Sequence, residues 1–134
     1  MKFSWPVRVY YEDTDSGGVV YYANYLKFFE RARTEFLRQF KVEQDLLIKE
    51  QDVIFAVRNI NVDYHKPAVF NDLLTVTTEV IELNKASLVF QQTIYRENDE
   101  TMLCQASCKV ACLKATQMKP RPIPDSLVQH LSQE

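Results

Sequence analysis

A single long helical pattern limits the folds open to this chain of 134 residues. Between residues 22 and 40, apolar side chains recur at steps of three and four, which is the spacing of one helix face. They are Tyr22, Tyr25, Phe29, Ala32, Phe36 and Phe40, with Leu26 and Leu37 beside them. Polar residues, among them Glu30, Arg33 and Arg38, fall on the opposite face. The spacing predicts one amphipathic helix of roughly 20 residues, about 30 Å long, buried on one side only.

Alternating apolar and polar residues flank this helix and predict strands. The alternation covers residues 3–11 before the helix and residues 54–64, 74–80, 88–94 and 102–112 after it. In the strand at 54–64, Ile54, Ala56, Ile60, Val62 and Tyr64 are expected to share one face. The last three strands follow one another through short polar turns, which predicts an antiparallel meander. Residues 44–51 and 126–131 are short enough for one or two helical turns each.

This order of elements predicts an α+β fold, a five-stranded antiparallel sheet against one long central helix. A helix about 10 Å wide covers only about two strands at 4.7–4.9 Å spacing, so the sheet must curl around it. An edge strand is still left to pair, and we therefore expect a dimer. Residues 1–134 are predicted to form one domain, which is large enough to bury roughly two thirds of its unfolded surface.

Composition and charge exclude several classes of protein. A formal net charge of −2 and a pI near 5.7 argue against nucleic acid as a partner. No apolar run approaches the roughly 18–20 residues of a membrane span, so none is expected. Residues 1–6 lack the apolar segment and cleavage site of an export signal. We expect a cytoplasmic protein.

Three cysteines occur at intervals of four residues, at Cys104, Cys108 and Cys112. On one strand face, neighbours four residues apart are separated by about 13 Å, at 3.3 Å per residue. That separation is too long for a disulfide or for a shared zinc ion. The spacing therefore predicts free, reduced thiols in the core, and we expect no metal site.

Chemistry is concentrated in an acidic turn at residues 10–22, which contains Asp15 and both glycines of the chain, Gly17 and Gly18. A carboxylate, two residues without side-chain bulk and a helix start can together present an acid and unpaired N–H groups to a substrate carbonyl. The structural alternative is that Asp13, Asp15 and Ser16 only cap the helix within a tight turn. The turn also resembles the start of a calcium-binding loop, but Gly17 and Asn24 stand where oxygen ligands are required.

We consider an acyl carbonyl that lies against this helix start and is attacked by a nucleophile. N–H groups near Tyr22 would stabilise the oxyanion, an effect of about 3 kcal/mol for each donor lost in other enzymes. Asp15 would attack the carbonyl itself or accept a proton from water, and Tyr11 would hold Asp15 through a hydrogen bond. A thioester is the natural substrate for so few groups, because a thiolate leaves more readily than an amine.

The run from Val9 to Tyr21, followed by Tyr25 and residues 30–35, resembles the 4-hydroxybenzoyl-CoA thioesterase family of hotdog proteins. It is most similar to the Tol-Pal-associated acyl-CoA thioesterases of YbgC type, and residues 87–90 and 118–121 extend the resemblance. The resemblance implies a hotdog fold with sites between paired subunits, commonly within a tetramer. By position, Asp15 matches the catalytic aspartate and Tyr11 its neighbouring tyrosine, while the Tyr22 N–H matches the carbonyl donor. Close relatives often carry a histidine at the position of Tyr22. A tyrosine cannot replace an imidazole as a base at neutral pH.

The resemblance also implies an acyl-CoA substrate, with acyl carrier protein and phospholipid-synthesis enzymes as further partners. No separate cofactor is expected, because coenzyme A is part of the substrate. We expect Gly17, Gly18 and Val19 to border the substrate and Lys66, Lys119 and Arg121 to meet its phosphates, with Lys85 and Lys114 as further cations. The structural alternative is that these cations are solvated surface charges.

Two other functions compete with hydrolysis. A hotdog dehydratase is disfavoured because that chemistry depends on a histidine base, which the acidic turn lacks. A non-catalytic module that binds acyl thioesters or proteins in lipid synthesis or envelope maintenance remains open.

Overall fold

The computed structural model describes residues 2–132 of the chain. After β1 (Phe3–Arg8) comes a single 3₁₀ turn at Tyr11–Asp13, and then the long helix α1 (Asn24–Arg38). The remaining elements are α2 (Gln44–Gln51), β2 (Val53–Tyr64), β3 (Leu73–Leu83), β4 (Ser87–Arg96), β5 (Met102–Lys114), β6 (Lys119–Pro120) and α3 (Asp125–Leu131). No helix in this part of the chain is long and apolar enough to cross a membrane.

The five long strands form one antiparallel sheet in the order β1-β3-β4-β5-β2. The predicted meander of β3, β4 and β5 is confirmed, and the two-residue β6 adds a short pairing to the end of β5. β1 and β2 are left as the two edges. Since α1 packs on one face of this sheet, the predicted α+β hotdog fold is confirmed.

Helix α1 is shorter than its apolar pattern predicts, with 15 residues from Asn24 to Arg38. Its buried stripe includes Phe28, which the predicted stripe omitted, together with Phe29 and Phe36. Tyr22 precedes the helix and is 62% exposed, so its place on the buried stripe was predicted wrongly. The reason lies upstream, where the Tyr21 N–H donates to the Asp13 carbonyl and thereby commits residues before Asn24 to a turn.

Arg33 is buried, although its charge predicted a place on the polar face of α1. Nη1 of Arg33 donates to Oε1 of Gln92, and Nε2 of Gln92 donates to the Phe29 carbonyl and to Oγ1 of Thr78. On their strands, Thr78 and Gln92 each stand between residues of two separate apolar clusters. A polar node of Arg33, Gln92 and Thr78 therefore divides the core.

Strand β2 contains a bulge at Arg58, where the pairing passes from Val57↔Val110 directly to Asn59↔Lys109. The extra residue shifts the alternation by one position. Phe55 and Val57 consequently pair with core residues of β5, as do Ile60 and Val62 farther along. The prediction that Ile54 and Ala56 share a face with Ile60 was wrong for this reason.

All three cysteines are free and buried in β5, as their spacing predicted. Burial raises the pKa of each thiol, and that of Cys104 to about 12. A thiol with so high a pKa carries almost no thiolate at neutral pH, which makes it a weak nucleophile.

Candidate active site

Backbone hydrogen bonds close the acidic turn around Asp15. The Asp15 N–H donates to the Val19 carbonyl at 2.9 Å, and the Gly18 N–H donates to the Asp15 carbonyl at 3.0 Å. The Gly17 N–H donates to Oδ1 of Asp15 at 2.8 Å, while Oδ2 accepts no hydrogen bond from any residue in the 2–132 range. Asp15 is thus held through one oxygen and presents the other to solvent.

Both glycines have a structural reason to be there. A Cβ on Gly17 would lie 3.2 Å from Oδ1 of Asp15, a tighter approach than most side chains accept. Gly18 has φ +85°, in the left-handed region that other residues rarely adopt. The N-cap of α1 is Ala23, with no side chain bonded to the helix end. Asp13, Asp15 and Ser16 therefore do not cap α1, but Asp15 does bond within the tight turn, as the alternative proposed.

A loop from the end of β2 braces the turn from behind. The Val20 N–H donates to the Ala68 carbonyl at 2.9 Å, and Val19 forms a bridge with Val69. The Ala68 N–H in turn donates to the hydroxyl of Tyr25 on α1 at 3.0 Å. Turn, loop and helix are therefore joined into one unit.

Arg96, at the end of β4, fixes the same loop. Its Nη2 donates to the Pro67 carbonyl at 2.9 Å, and its Nε lies 3.1 Å from Oδ2 of Asp72. That Asp72 oxygen also accepts the Val69 N–H at 3.0 Å. Hydrogen bonding to Asp72 raises the pKa of Arg96, so the guanidinium stays charged.

The start of α1 presents N–H groups without partners. Neither the Tyr22 N–H nor the Ala23 N–H bonds to any residue that the structure describes, while the Asn24 N–H donates to the Tyr21 carbonyl. The Tyr22 carbonyl accepts a 3.0 Å hydrogen bond from the hydroxyl of Tyr64, at the end of β2. Unpaired N–H groups at a helix start form an anion site, which is what an oxyanion requires.

A cavity of about 260 Å³ opens beside this helix start. Tyr22, Tyr25 and Tyr64 form its aromatic walls, and His65 and Lys66 lie on its rim. Burial raises the pKa of Tyr25 and of Tyr64, which keeps both hydroxyls protonated at neutral pH. The cavity can therefore take an apolar or aromatic group whose carbonyl lies near Tyr22.

Tyr11 is placed differently from its prediction. Its ring stacks on Phe70, with centroids 3.8 Å apart and planes within 5° of parallel, and it remains 75% exposed. No hydrogen bond joins Tyr11 to Asp15 within the described range, so the predicted support for the carboxylate is not seen. The Gly17 N–H supplies that support instead.

A family model described as the thioesterase-like superfamily matches residues 9–131, from the residue after β1 to the end of α3. The chain belongs to the thioesterase-like superfamily.

Individual thioesterases resemble the chain over nearly its whole length. It is 51% identical to the acyl-CoA thioesterase YbgC of Haemophilus influenzae, covering 91% of this chain and 88% of that protein. It is 47% identical to the acyl-CoA thioester hydrolase YbgC of Escherichia coli O6:H1, covering 98% and 96%. The crystal structure of a probable thioesterase from Bartonella henselae matches with TM-score 0.87 at 35% identity, covering 92% and 100%. The expected kinship with YbgC-type proteins is confirmed, and the protein is a thioester hydrolase.

The cations expected to meet phosphates are far apart within this chain. Lys66 lies at the cavity, where its N–H bonds the Leu103 carbonyl at the start of β5. Lys119 pairs with Lys114 at the other end of β5, and the Arg121 N–H donates to the Cys112 carbonyl. The eleven residue-to-residue steps from Leu103 to Lys114 span roughly 36 Å at 3.3 Å each. A single copy of the chain therefore cannot gather all of them around one substrate.

Several site residues of this thioesterase were not singled out by the sequence. Tyr64 of β2 and Phe70 of the following loop contact the acidic turn, and Arg96 of β4 anchors that loop. Only the folded sheet brings these residues together. The signal in the sequence was the pair of aromatic residues, Tyr64 and Phe70, on either side of Pro67. Within residues 2–132, no three His, Cys, Asp or Glu side chains come together as a metal site.

Proposed function

We propose that this thioesterase hydrolyses acyl-CoA, with Asp15 as the reacting carboxylate and the Tyr22 and Ala23 N–H groups as oxyanion donors. One observation carries the proposal: an exposed Asp15 with a free Oδ2 is built into the same braced turn as a helix start with unpaired N–H groups. The two YbgC relatives are an acyl-CoA thioester hydrolase and an acyl-CoA thioesterase, which supports the choice of substrate.

Two routes are consistent with this arrangement. In the first, Asp15 accepts a proton from water, the water oxygen bonds to the thioester carbon, and the C–S bond breaks to release coenzyme A as a thiol. In the second, Oδ2 of Asp15 bonds to the carbonyl carbon, the thiolate leaves, and water then hydrolyses the mixed anhydride. Both routes pass through a tetrahedral oxyanion that N–H donors stabilise.

We infer that the working enzyme is a homodimer joined through β2. This edge strand has twelve residues and no proline, whereas β1 has only six residues, one of which, Pro6, has no N–H to donate. Val57, on β2, is 52% exposed despite being apolar. Two copies related by a two-fold axis would pair antiparallel along this edge. The resemblance to YbgC-type proteins supports further assembly into a tetramer.

This pairing would also complete the phosphate site. Antiparallel copies would set the Val53 end of one β2 beside the Tyr64 end of the other. Val53 pairs with Lys114, so Lys114, Lys119 and Arg121 of one subunit would approach the cavity of its partner. Gly17, Gly18 and Val19 would border the acyl-thioester from the subunit that supplies Asp15.

The cellular setting is inferred from the resemblance to YbgC-type proteins. We propose a cytoplasmic enzyme of phospholipid metabolism that also accepts acyl carrier protein thioesters and works in connection with the Tol-Pal system. A carrier protein presents its thioester on the same phosphopantetheine arm as coenzyme A, so the chemistry at Asp15 would be unchanged.

Tyr22 favours one second candidate, a non-catalytic module that binds acyl thioesters. A phenol at this position cannot serve as a base at neutral pH, as an imidazole can. The unpaired N–H groups would bind a carbonyl equally well without turnover.

Thiol release from acyl-CoA of different chain lengths, followed for the wild type beside Asp15→Asn, decides between these functions. We expect turnover by the wild type and a loss of at least about 100-fold in the variant, or about 2.7 kcal/mol of transition-state stabilisation. Circular dichroism and sizing confirm that both proteins are folded and assembled alike. Equal, feeble rates for both proteins on every acyl group would establish the binding module instead.

A further inference from the structure

The hydroxyl of Tyr64 donates to the Tyr22 carbonyl in place of a helix N–H. In a regular α-helix, the Tyr22 carbonyl would accept the N–H of residue 26. Here the Leu26 N–H donates to the Ala23 carbonyl at 3.2 Å, which tightens the first turn of α1. Tyr64 supplies the missing donor, with its hydroxyl 3.0 Å from the Tyr22 oxygen. It is the only partner of that carbonyl among residues 2–132.

The Tyr22 carbonyl and the Ala23 N–H belong to one peptide group. The described chain has no cis peptide bond, so this group is a rigid trans plane whose C=O and N–H point in opposite directions. A hydrogen bond that holds the oxygen on one side therefore fixes the N–H on the other. The Ala23 N–H, which has no partner in the described part of the chain, is aimed by Tyr64.

We propose that Tyr64 is a positioning residue of this thioesterase, whose hydroxyl holds the Tyr22–Ala23 peptide so that the Ala23 N–H points at the thioester oxygen. This inference rests on the proposed function, in which N–H groups at the start of α1 stabilise the oxyanion. Preorganised donors are effective because they need no reorientation during the reaction. Tyr64 makes this contribution without touching the substrate through its hydroxyl, which is already engaged with the Tyr22 carbonyl.

The phenol is suited to this role through its surroundings. Tyr64 ends β2, and its backbone pairs with Cys104 of β5, so the side chain extends from a rigid strand. Its ring meets Tyr25 edge-on at 5.5 Å and Tyr22 at 6.3 Å. Burial raises the pKa of Tyr64, which keeps the hydroxyl a donor beyond neutral pH.

The ring of Tyr64 also lines the cavity, so its packing must be separated from its hydroxyl. Tyr64→Phe removes only the hydroxyl and keeps the ring. The matched control is Tyr95→Phe, because Tyr95 is partly buried on β4 and its hydroxyl makes no hydrogen bond to residues 2–132. Neither change creates a cavity, and both proteins are expected to melt close to the wild type.

The experiment measures kcat and KM separately for acyl-CoA hydrolysis, together with the ¹⁵N-amide signal and hydrogen exchange of Ala23. For Tyr64→Phe we expect kcat to fall about tenfold with KM unchanged. This is less than the 10²–10³-fold loss of removing a donor outright, because the N–H is loosened rather than deleted. The Ala23 amide signal should shift and its exchange should quicken, while Tyr95→Phe changes none of these quantities.

Three results would overturn the inference: an unchanged kcat, a change confined to KM, or an Ala23 amide that does not respond to Tyr64→Phe. Failure of the proposed function appears separately, as a wild type that releases no thiol or an Asp15→Asn variant that equals it. In that case the Ala23 amide still decides whether Tyr64 fixes the peptide, since NMR requires no turnover.

Discussion

Arg33 and Gln92 meet in the middle of the core, where Nη1 of Arg33 lies 2.9 Å from Oε1 of Gln92. No carboxylate of the described chain forms an ion pair with this guanidinium, and burial lowers its pKa. The amide of Gln92 is therefore what compensates a buried cation. Such a group is costly to leave unpaired.

We predict that Gln92→Leu destabilises the protein more than Arg33→Met. The first change strands a buried charge, at about 3–5 kcal/mol, whereas the second strands only an amide oxygen, at about 1–3 kcal/mol. The double variant should cost clearly less than the sum of the two, because it removes the charge and its partner together. Urea unfolding of the four proteins measures these differences. Additive costs would show that the two side chains act independently.

Arg96 should support catalysis from a distance. Arg96→Ala frees the Pro67 carbonyl and Asp72, so the loop that braces Val19 and Val20 loses its anchor. We expect kcat to fall between about 10- and 100-fold, the effect of a small misplacement of reacting groups. Faster hydrogen exchange at the Val20 amide should accompany the loss. Arg31→Ala is the control, since Arg31 is an exposed residue of α1.

The three cysteines should not react with thiol reagents in the folded protein. With the Cys104 pKa near 12 and all three thiols buried, an aromatic disulfide reagent at pH 8 should label none of them, but all three after denaturation. Rapid labelling of the native protein would contradict this. The result also matters for the activity assay, because protein thiols then add no background to the coenzyme A released.

Alkaline pH should weaken the fold through the same thiols. The folded state holds the Cys104 proton more tightly than the unfolded state does, because the pKa rises from 9.0 to about 12. Stability is therefore fully present below pH 9 and falls as pH rises toward 12, by up to about 1.4 kcal/mol per pH unit for this thiol. Cys104→Ala should flatten the decline in urea midpoints between pH 9 and 11. An equal slope in both proteins would assign it to other groups.

A single charged substitution at the β2 edge tests the proposed dimer. Val57→Glu places two carboxylates near a two-fold axis, and we expect the mass in light scattering to fall to that of a monomer, with activity lost. Ile81→Glu is the matched control, because Ile81 is 57% exposed on β3, away from that edge. A change in mass with Ile81→Glu and none with Val57→Glu would assign the interface to another surface.

Much of the fold could be predicted from local sequence patterns. The periods of the helix and strands, the meander and the buried thiols follow from side-chain spacing alone, and the acidic turn marked the site. Arg33 could not be placed this way, although it stands four residues after Phe29 on the buried stripe. Its charge argued for solvent, and its partner Gln92 lies 59 residues away. Spacing predicts which face of the helix Arg33 lies on, but its charge can be buried there only because Gln92 hydrogen-bonds to it.

The contacts within the acidic turn were predictable from the sequence, whereas the residues that support the turn were not. Asp15, Gly17 and Gly18 act within one turn, so their roles follow from neighbours in sequence. Tyr64 contacts the turn at Tyr22, 42 residues away along the chain, and Arg96 supports the turn only through the loop after β2. Tyr11 was misplaced for a related reason, since its ring found Phe70 rather than Asp15.

The bulge at Arg58 determines where β2 tolerates a change in length. Removing Arg58 itself would leave Val57 opposite Val110 and Asn59 opposite Lys109, so every side chain would keep its side of the sheet. Removing any residue between 53 and 57 would instead move the side chains that precede it to the opposite face of the sheet, unless the bulge shifted as well. Arg58 is thus the site in this strand where a homologue could lose one residue while its core stays inward.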